Sequence, residues 1–286
     1  MKGDHNSTAL TSPETGPIKE SVAAARLAKA WGLIREEALR VSQGEIRLAP
    51  LLEDIFLSRD SLACSVAARL SRKLAREDMT REELLPLLQE ILLDHPDLVD
   101  CLVCDLLAIE ERDPACLSLM QPLLFYKGFL AIATYRLGHQ MWQNERHDLA
   151  YYFQSLASEV FGVDIHPAAH VGCGLFLDHA TSVVIGETCI VENNVSILHE
   201  VTLGGTGKTS GDRHPIVRSG VMIGAGAKVL GRVEIGQGAK IGAGSVVLDN
   251  VPAHTTVAGV PAVIVGTTDS DNPAAVMDQS LGCSRI

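Results

Sequence analysis

Beyond residue 162 of this 286-residue chain, aliphatic side chains recur every six positions. One run is Ile165, Val171, Leu177 and Val183, and the next is Ile185, Val191, Ile197 and Leu203. A third holds Ile223, Val229, Ile235, Ile241 and Val247, and a fourth holds Val251, Val257 and Val263. Four residues after most of these stands something small or β-branched: Ala169, Thr181, Cys189, Val195, Val201, Ala227, Val233, Ala239 and Ser245. Neither a 3.6-residue helix nor an alternating strand gives a period of six. A parallel β-helix does. Each hexad is a short strand plus a corner, three hexads close a triangular coil, and coils stacked about 4.8 Å apart pair their backbones and hide the aliphatic column. The period slips at 183–185 and 247–251 and pauses between Leu203 and Ile223. That pause, GGTGKTSGDRHPIVRSG, is too polar and glycine-rich for a rung, so a functional loop over 204–219 is expected.

The first half follows another pattern. Residues 1–17 are polar, carry two prolines and are expected to be disordered. Over 18–161 apolar residues recur at three and four, as in Ile18–Ser42. Thr80 and Glu83 have capping-box spacing, and Pro96 suits the first turn of a helix. With segments 117–142 and 147–161 this makes about six helices. The expected class is therefore α+β: an all-α helical domain (18–161), a parallel β-helix (162–266) and a flexible C-terminal tail (267–286).

A formal charge of −11 argues against non-specific nucleic-acid binding, so any anionic ligand must be met by local cations or backbone N–H groups. The N-terminus shows no apolar h-region and no stretch of eighteen apolar residues occurs, so neither a secretory signal nor a membrane span is expected. Seven cysteines without paired spacing suit a reducing, cytoplasmic setting. Cys101 and Cys104 form the one CxxC, in an apolar helical pattern without a second pair, and read as small buried side chains rather than a zinc site. No metal is expected.

Particular stretches resemble the serine acetyltransferases of bacterial and plant cysteine synthesis. They are RDPA (112–115), PLLFYKGF (122–129), YRLGH (135–139), VDIHPAAHVG (163–172), LDHAT (177–181), GETCIVENNVSIL (186–198), VTLGGTGK (201–208), GDRHP (211–215), GVMIGAGAKVLG (220–231) and AGVPA (258–262). The likeness runs in order from about 100 to 280, roughly two-thirds of the chain. It implies a left-handed β-helix that transfers acetyl from acetyl-CoA, a co-substrate and not a resident cofactor, to the L-serine hydroxyl.

A serine hydroxyl is a poor nucleophile at neutral pH, and a placed base is worth about 10²–10⁴-fold. The resemblance assigns that role to His179, with Asp164 orienting the imidazole; read alone, His179 could be a polar corner residue. For substrate serine the resemblance offers Asp113 and Asp178 to the ammonium, Arg213 to the carboxylate and His214 as a further contact. Asp113 also fits a cap ahead of Pro114. Acetyl-CoA is expected along the groove between adjacent β-helices, against Gly204, Gly205, Thr206, Ala225 and Ala243. The Gly205 N–H is a candidate oxyanion donor, and Lys240 and Lys228 are phosphate partners or plain surface lysines.

Other readings fail on particular residues. Gly207-Lys208-Thr209 ends like a phosphate-binding loop, but its earlier glycine would fall on Thr202. Cys189 occupies the small slot of its hexad, so direct transfer is expected and not an acyl-enzyme. A sugar O-acetyltransferase would not carry the RDPA half. A γ carbonic anhydrase would need His-x4-His, and His199 is followed at that spacing by Gly204. The resemblance further implies L-cysteine as feedback inhibitor, a homotrimer or dimer of trimers, and docking of the C-terminal Ile286 into O-acetylserine sulfhydrylase, although Arg285 beside it departs from the family pattern.

Overall fold

The computed structural model describes residues 17–207, 210–268, 270 and 272–281. Ile286 and residues 1–16 of the tail expected over 1–17 lie outside them, and Pro17 already opens a helix. Eight helices fill the first half of the described chain: α1 Pro17–Gly44, α2 Ala49–Leu52, which runs on as a π-turn Glu53–Leu57, α3 Leu62–Leu74, α4 Arg81–Asp94, α5 Pro96–Arg112, α6 Met120–Phe125, α7 Lys127–Gln143 and α8 His147–Phe161. The capping box forms, with the Thr80 N–H donating to Glu83 Oε2 at 2.8 Å, and Pro96 opens α5. The hydrophobic segment 117–142 is two helices, not one, because Tyr126 is extended (φ −84, ψ 110). Its break lets α7 start against the coil. A Cβ on Gly128 would sit 2.2 Å from the Leu177 carbonyl oxygen, so only glycine allows that approach.

Among the described residues, fifteen short strands wind the coil into three faces. Face A stacks β1 Val163–Ile165, β4 Val183–Ile185, β7 Thr202–Gly204, β10 Lys228–Leu230 and β13 Val246–Val247. Face B stacks β2 His170–Val171, β5 Ile190–Val191, β8 Ile216–Val217 and β11 Glu234–Ile235. Face C stacks β3 Phe176–Leu177, β6 Ser196–Ile197, β9 Met222–Ile223, β12 Lys240–Ile241, β14 Thr255–Ala258 and the antiparallel β15 Val263–Thr267. The hexad column is the core, with Val183, Ile197, Leu203, Ile223 and Ile235 fully buried, and it is continuous with the helical core.

Five expectations need correction. The looped-out stretch ends earlier than residue 219, because Ile216–Val217 is a rung paired with β5 and β11; Val217 lies six residues before Ile223 and is buried. Val263 is exposed, since β15 reverses direction and caps the last coil instead of extending the column. Thr181 is exposed, and Ala180 fills the interior slot at a corner lengthened by left-handed residues. Part of the segment expected as a flexible tail also packs: a short helix α9, Pro273–Val276, buries Ala274, whose carbonyl accepts from Ser196 Oγ at 2.9 Å. Cys101 is not simply a buried thiol. It is bonded to Cys173 across 72 residues, tying α5 to the first coil, while Cys104 is free.

One buried ionic group joins the halves. Asp105 on α5 accepts from Arg136 Nε at 2.7 Å and Nη2 at 2.9 Å, and from the Leu175 N–H at 2.9 Å. Arg136 on α7 reaches on to the Gly172 carbonyl at 2.8 Å. Arg112 donates to the Gly174 carbonyl and to Ser196 Oγ, each at 3.1 Å. Removing one partner leaves the other charge buried and unpaired. Asp105→Ala is therefore expected to cost about 3–5 kcal/mol, measured by denaturant unfolding with the Cys101–Cys173 bond intact.

Candidate active site

The site residues sit at two different corners of the triangular coil. His179 lies between β3 and β4, at the C–A corner. Its corner is tight, with φ of 55 at His179, 57 at Ala180 and 60 at Ser182. Non-glycine residues adopt that conformation only where the surroundings hold it. Here Ala180 N–H bonds the Asp178 carbonyl at 2.6 Å, Ser182 N–H the Gly162 carbonyl at 2.7 Å, and Glu200 N–H the Thr181 carbonyl at 2.7 Å. The imidazole is presented outward, with its side chain 77% exposed.

Asp178 Oδ1 stands 3.8 Å from His179 Nε2. Burial pushes the Asp178 carboxyl up; His179 opposes that and Asp113 adds to it. Asp113 caps the end of α5, accepting from the Ala115 N–H at 2.8 Å, so the capping role expected for it is real. Tyr126 faces both carboxylates, and burial followed by their charge raises its phenol. An open cleft of about 550 Å³ is lined here by Glu110, Asp113, Phe176, Asp178, Met277 and Gln279, among others.

Stacking register continues this corner. Leu177 pairs with Ile197, Ile197 with Ile223 and Ile223 with Ile241. His199, Ala225 and Ala243 therefore succeed His179 along one column, and the Gly226 N–H bonds the His199 carbonyl at 2.9 Å. The small residues expected beside pantetheine thus align with the expected base.

Arg213 and His214 lie at the A–B corner, between β7 and β8. Both backbone N–H groups bond Thr188 Oγ1, at 3.0 and 3.2 Å. Arg213 Nη2 pairs with Glu187 Oε2 at 2.6 Å. The Thr188 N–H donates to His214 Nδ1 at 3.1 Å, which leaves the ring proton on Nε2. Burial, then the Arg213 charge, holds the His214 imidazole below its ordinary value. Gly186 makes room for that ring, because a Cβ there would lie 2.1 Å from His214 Cδ2. Gly204 ends β7 at the same corner, and a Cβ on Gly205 would touch the Arg213 stem at 3.3 Å.

The Asp164–His179 pair expected from the sequence is not in contact. Asp164 Oδ1 accepts from Gln154 Nε2 on α8 at 2.6 Å, and the carboxylate within ion-pair distance of His179 is Asp178. Asp164 is mid-strand on face A, so its outward side chain meets the helix packed there. Lys240 is turned to the C-terminal segment: it is 7% exposed, donates to the Ser280 carbonyl and lies 3.9 Å from Asp278. Cys189 is fully buried, and burial pushes its thiol up to about 12. Sequence reasoning missed Tyr126, Thr188, Glu187 and Gln154; the first three stand inside or beside stretches already singled out, and Gln154 carried no signal.

Comparison with known proteins decides the family. Residues 30–134 match the model for the serine acetyltransferase N-terminal region, and 214–249 match the bacterial transferase hexapeptide (six repeats) model. A serine acetyltransferase of Escherichia coli strain K12 is 49% identical over 249 residues, covering 87% of this chain and 91% of its own. The chain belongs to the serine acetyltransferase family. Solved family members agree in fold. One in complex with cysteine has TM-score 0.87 at 48% identity, covering 88% of this chain and 98% of its own. The Brucella abortus enzyme in complex with coenzyme A has TM-score 0.82 at 50%, covering 84% and 96%. The soybean enzyme complexed with serine has TM-score 0.82 at 49%, covering 84% and 99%.

The Asp178 environment makes a stability prediction. A carboxyl raised by burial favours the fold when protonated, and that contribution is lost as pH rises through its folded value. Asp178→Asn should therefore raise the unfolding temperature at neutral pH. The gain should shrink as pH falls into the carboxylate range, as thermal unfolding across pH will show.

Proposed function

We propose that this family member transfers the acetyl group of acetyl-CoA to the hydroxyl of L-serine, giving O-acetyl-L-serine and CoA, and opens cysteine synthesis from serine. The carrying observation is the exposed imidazole of His179 at the head of a column of small residues, beside the Asp113–Asp178 carboxylate pair. The pair suits a substrate ammonium, and Glu110 adds to the negative charge of that cleft. Arg213 supplies the cation a substrate carboxylate needs.

In this reading His179 takes the hydroxyl proton as the serine oxygen attacks the thioester, then returns it to the departing thiolate. Asp164 remains our orienting carboxylate in the substrate-loaded site. Its Oδ1 is held by Gln154, and the imidazole is exposed enough to turn; free enzymes often show such hydrogen bonds long or unmade. Direct transfer fits the high Cys189 thiol value, since a buried neutral thiol is no acyl acceptor.

Arg213 and His214 stand at one corner of the coil while Asp113, Asp178 and His179 stand at another, so a single chain carries two half-sites. A second copy completes the site by bringing its A–B corner to the first copy's C–A corner. We therefore read the enzyme as a homotrimer, with pairing of trimers through the helical halves as its extension. Acetyl-CoA would lie in the cleft between copies, against Gly204, Gly205 and Thr206 of one and Ala225 and Ala243 of the other. Serine and cysteine differ in one atom, so L-cysteine should occupy the same half-sites and act as feedback inhibitor. Ile286 is the proposed contact to O-acetylserine sulfhydrylase, and the cytoplasm is the proposed compartment. Among the described residues no helix is long and apolar enough to cross a membrane.

A serine-dependent CoA-release assay tests the reading. His179→Asn should lower kcat by about 10²–10⁴-fold with the fold intact, whereas galactosides should not replace serine. Activity retained in His179→Asn would sink the base assignment. Millimolar L-cysteine should raise the apparent KM for serine without lowering kcat at saturating serine. Removal of Ile286 should abolish binding of the sulfhydrylase in a pull-down while leaving serine acetylation unchanged.

A further inference from the structure

One ring at the A–B corner has no role in the account above. Ile165 pairs with Ile185, so His166 and Gly186 occupy successive levels of that corner. Gly186 has no side chain, and the His214 ring fills its place. Two imidazoles thus stand one coil apart, and they are held alike. The Ala168 N–H donates to His166 Nδ1 at 3.1 Å, as the Thr188 N–H donates to His214 Nδ1 at 3.1 Å. Each ring proton is therefore on Nε2. Trp142 and Tyr151 brace the His166 ring edge to face at 5.4 and 5.5 Å. Burial holds that ring below its ordinary value, against the charges of Glu187 and Asp164, so at neutral pH it is an uncharged donor. Its Nε2–H has no hydrogen-bond partner among the described residues.

We propose that His166 is a further substrate-binding residue, whose Nε2–H donates to the carboxylate of the amino-acid substrate. This assignment rests on the reading of Arg213 and His214 as the carboxylate half-site. A carboxylate offers about four lone-pair positions. Arg213 does not answer them all. Its Nη2 is paired with Glu187 Oε2 at 2.6 Å and its Nη1 donates to the Gly211 carbonyl at 3.2 Å, so part of the guanidinium fork is committed elsewhere. Neutral donors complete the set, and His166 belongs to the same group. The charges of Glu187 and Arg213 act on it, and it acts in turn on His214. In the homotrimer, with its axis along the coil, equal levels of two copies face each other. The first-coil corner bearing His166 then meets the first-coil corner bearing Asp178 and His179, where the ammonium and hydroxyl of the same substrate lie.

Packing alone does not account for the ring. A slot between Trp142 and Tyr151 is filled as well by phenylalanine, and the bond from Ala168 uses only the acceptor nitrogen. The donor nitrogen gives the site a specificity. It distinguishes an amino acid from the corresponding amide or amine, and it is blind to whether the side chain ends in oxygen or sulfur. L-cysteine is therefore held by it as L-serine is.

The test compares His166→Phe, which keeps a ring between Trp142 and Tyr151 and loses the donor, with His166→Gln, which keeps a donor. Both full-length variants are measured with L-serine and with L-serinamide, which lacks the carboxylate, and Arg213→Met is measured alongside. Serinamide is followed as a substrate, or as a competitor of serine where its turnover is too slow. We expect phenylalanine to raise KM for serine about tenfold, the loss of one hydrogen bond to a charged group. KM for acetyl-CoA and kcat should stay within about threefold of wild type. Serinamide should bind the phenylalanine variant within about twofold of its wild-type value, and glutamine should restore serine to within about threefold. A phenylalanine variant whose KM for serine stays within about twofold of wild type overturns the proposal. Equal losses for serine and serinamide also overturn it and indicate packing. Should phenylalanine fail to fold, His166→Leu takes its place, and the comparison of the two ligands decides. If Arg213→Met keeps the preference for serine over serinamide while His166→Phe loses it, the arginine assignment fails and the His166 contact stands.

Discussion

The junction of the helical half with the coil, beside Asp113 and Asp178, depends on the buried carboxylate of Asp105. It gathers the Arg136 guanidinium and a backbone N–H of the first coil, while Arg136 and Arg112 take the carbonyls of Gly172 and Gly174. Such an array is weak evidence for stability, because two charges leave water to form it. Its effect is positional. Here the carbonyls of Gly172 and Gly174 point outward at a corner of the coil, and arginines on the helices supply their donors. The same α5 that brings Arg112 ends at Asp113, and the same corner leads into Phe176, Leu177 and Asp178. Helical half and coil are thus locked beside the Asp113–Asp178 pair. The Cys101–Cys173 bond ties the same two elements together.

Local chemistry made much of this legible. A period of six admits one architecture, and the column from Ile165 to Val257 follows it, buried throughout except at the half-buried Val171. The capping box at Thr80 needed only four residues of sequence. Failures came where a polar neighbourhood masked a rung. Val217 lies six before Ile223, but Arg213, His214 and Arg218 around it read as loop. The break at Tyr126 was invisible because its cause, the Leu177 backbone against Gly128, lies far away in sequence. Cys173 pairs with Cys101 for the same kind of reason: spacing along the chain says nothing about two elements brought side by side.

The Asp164 expectation shows where counting residues stops working. Fifteen positions before His179 looks like a little less than one coil. In the first coil, however, Val163 pairs with Val183, while Val184 pairs with Thr202, so the left-handed residues from His179 to Ser182 make that coil longer than the next. His179 consequently stacks on His199, and Asp164 faces α8 and Gln154. Glutamine gives the carboxylate one neutral donor.

The charge balance points the same way at the far end of the column. A chain of net charge −11 repels a CoA anion at long range, so binding must come from cations at the groove itself. Lys240 is removed from that set, since the Ser280 carbonyl and Asp278 hold its ammonium under the C-terminal segment. Lys228 is differently placed. Its ammonium bonds the carbonyls of Glu200 and Gly226, the residues just after His199 and Ala225 in the corner column. A lysine tethered by neutral carbonyls keeps its full charge, whereas one beside a carboxylate has it largely cancelled. The cation that survives this comparison therefore flanks the small-residue column and the two stacked histidines.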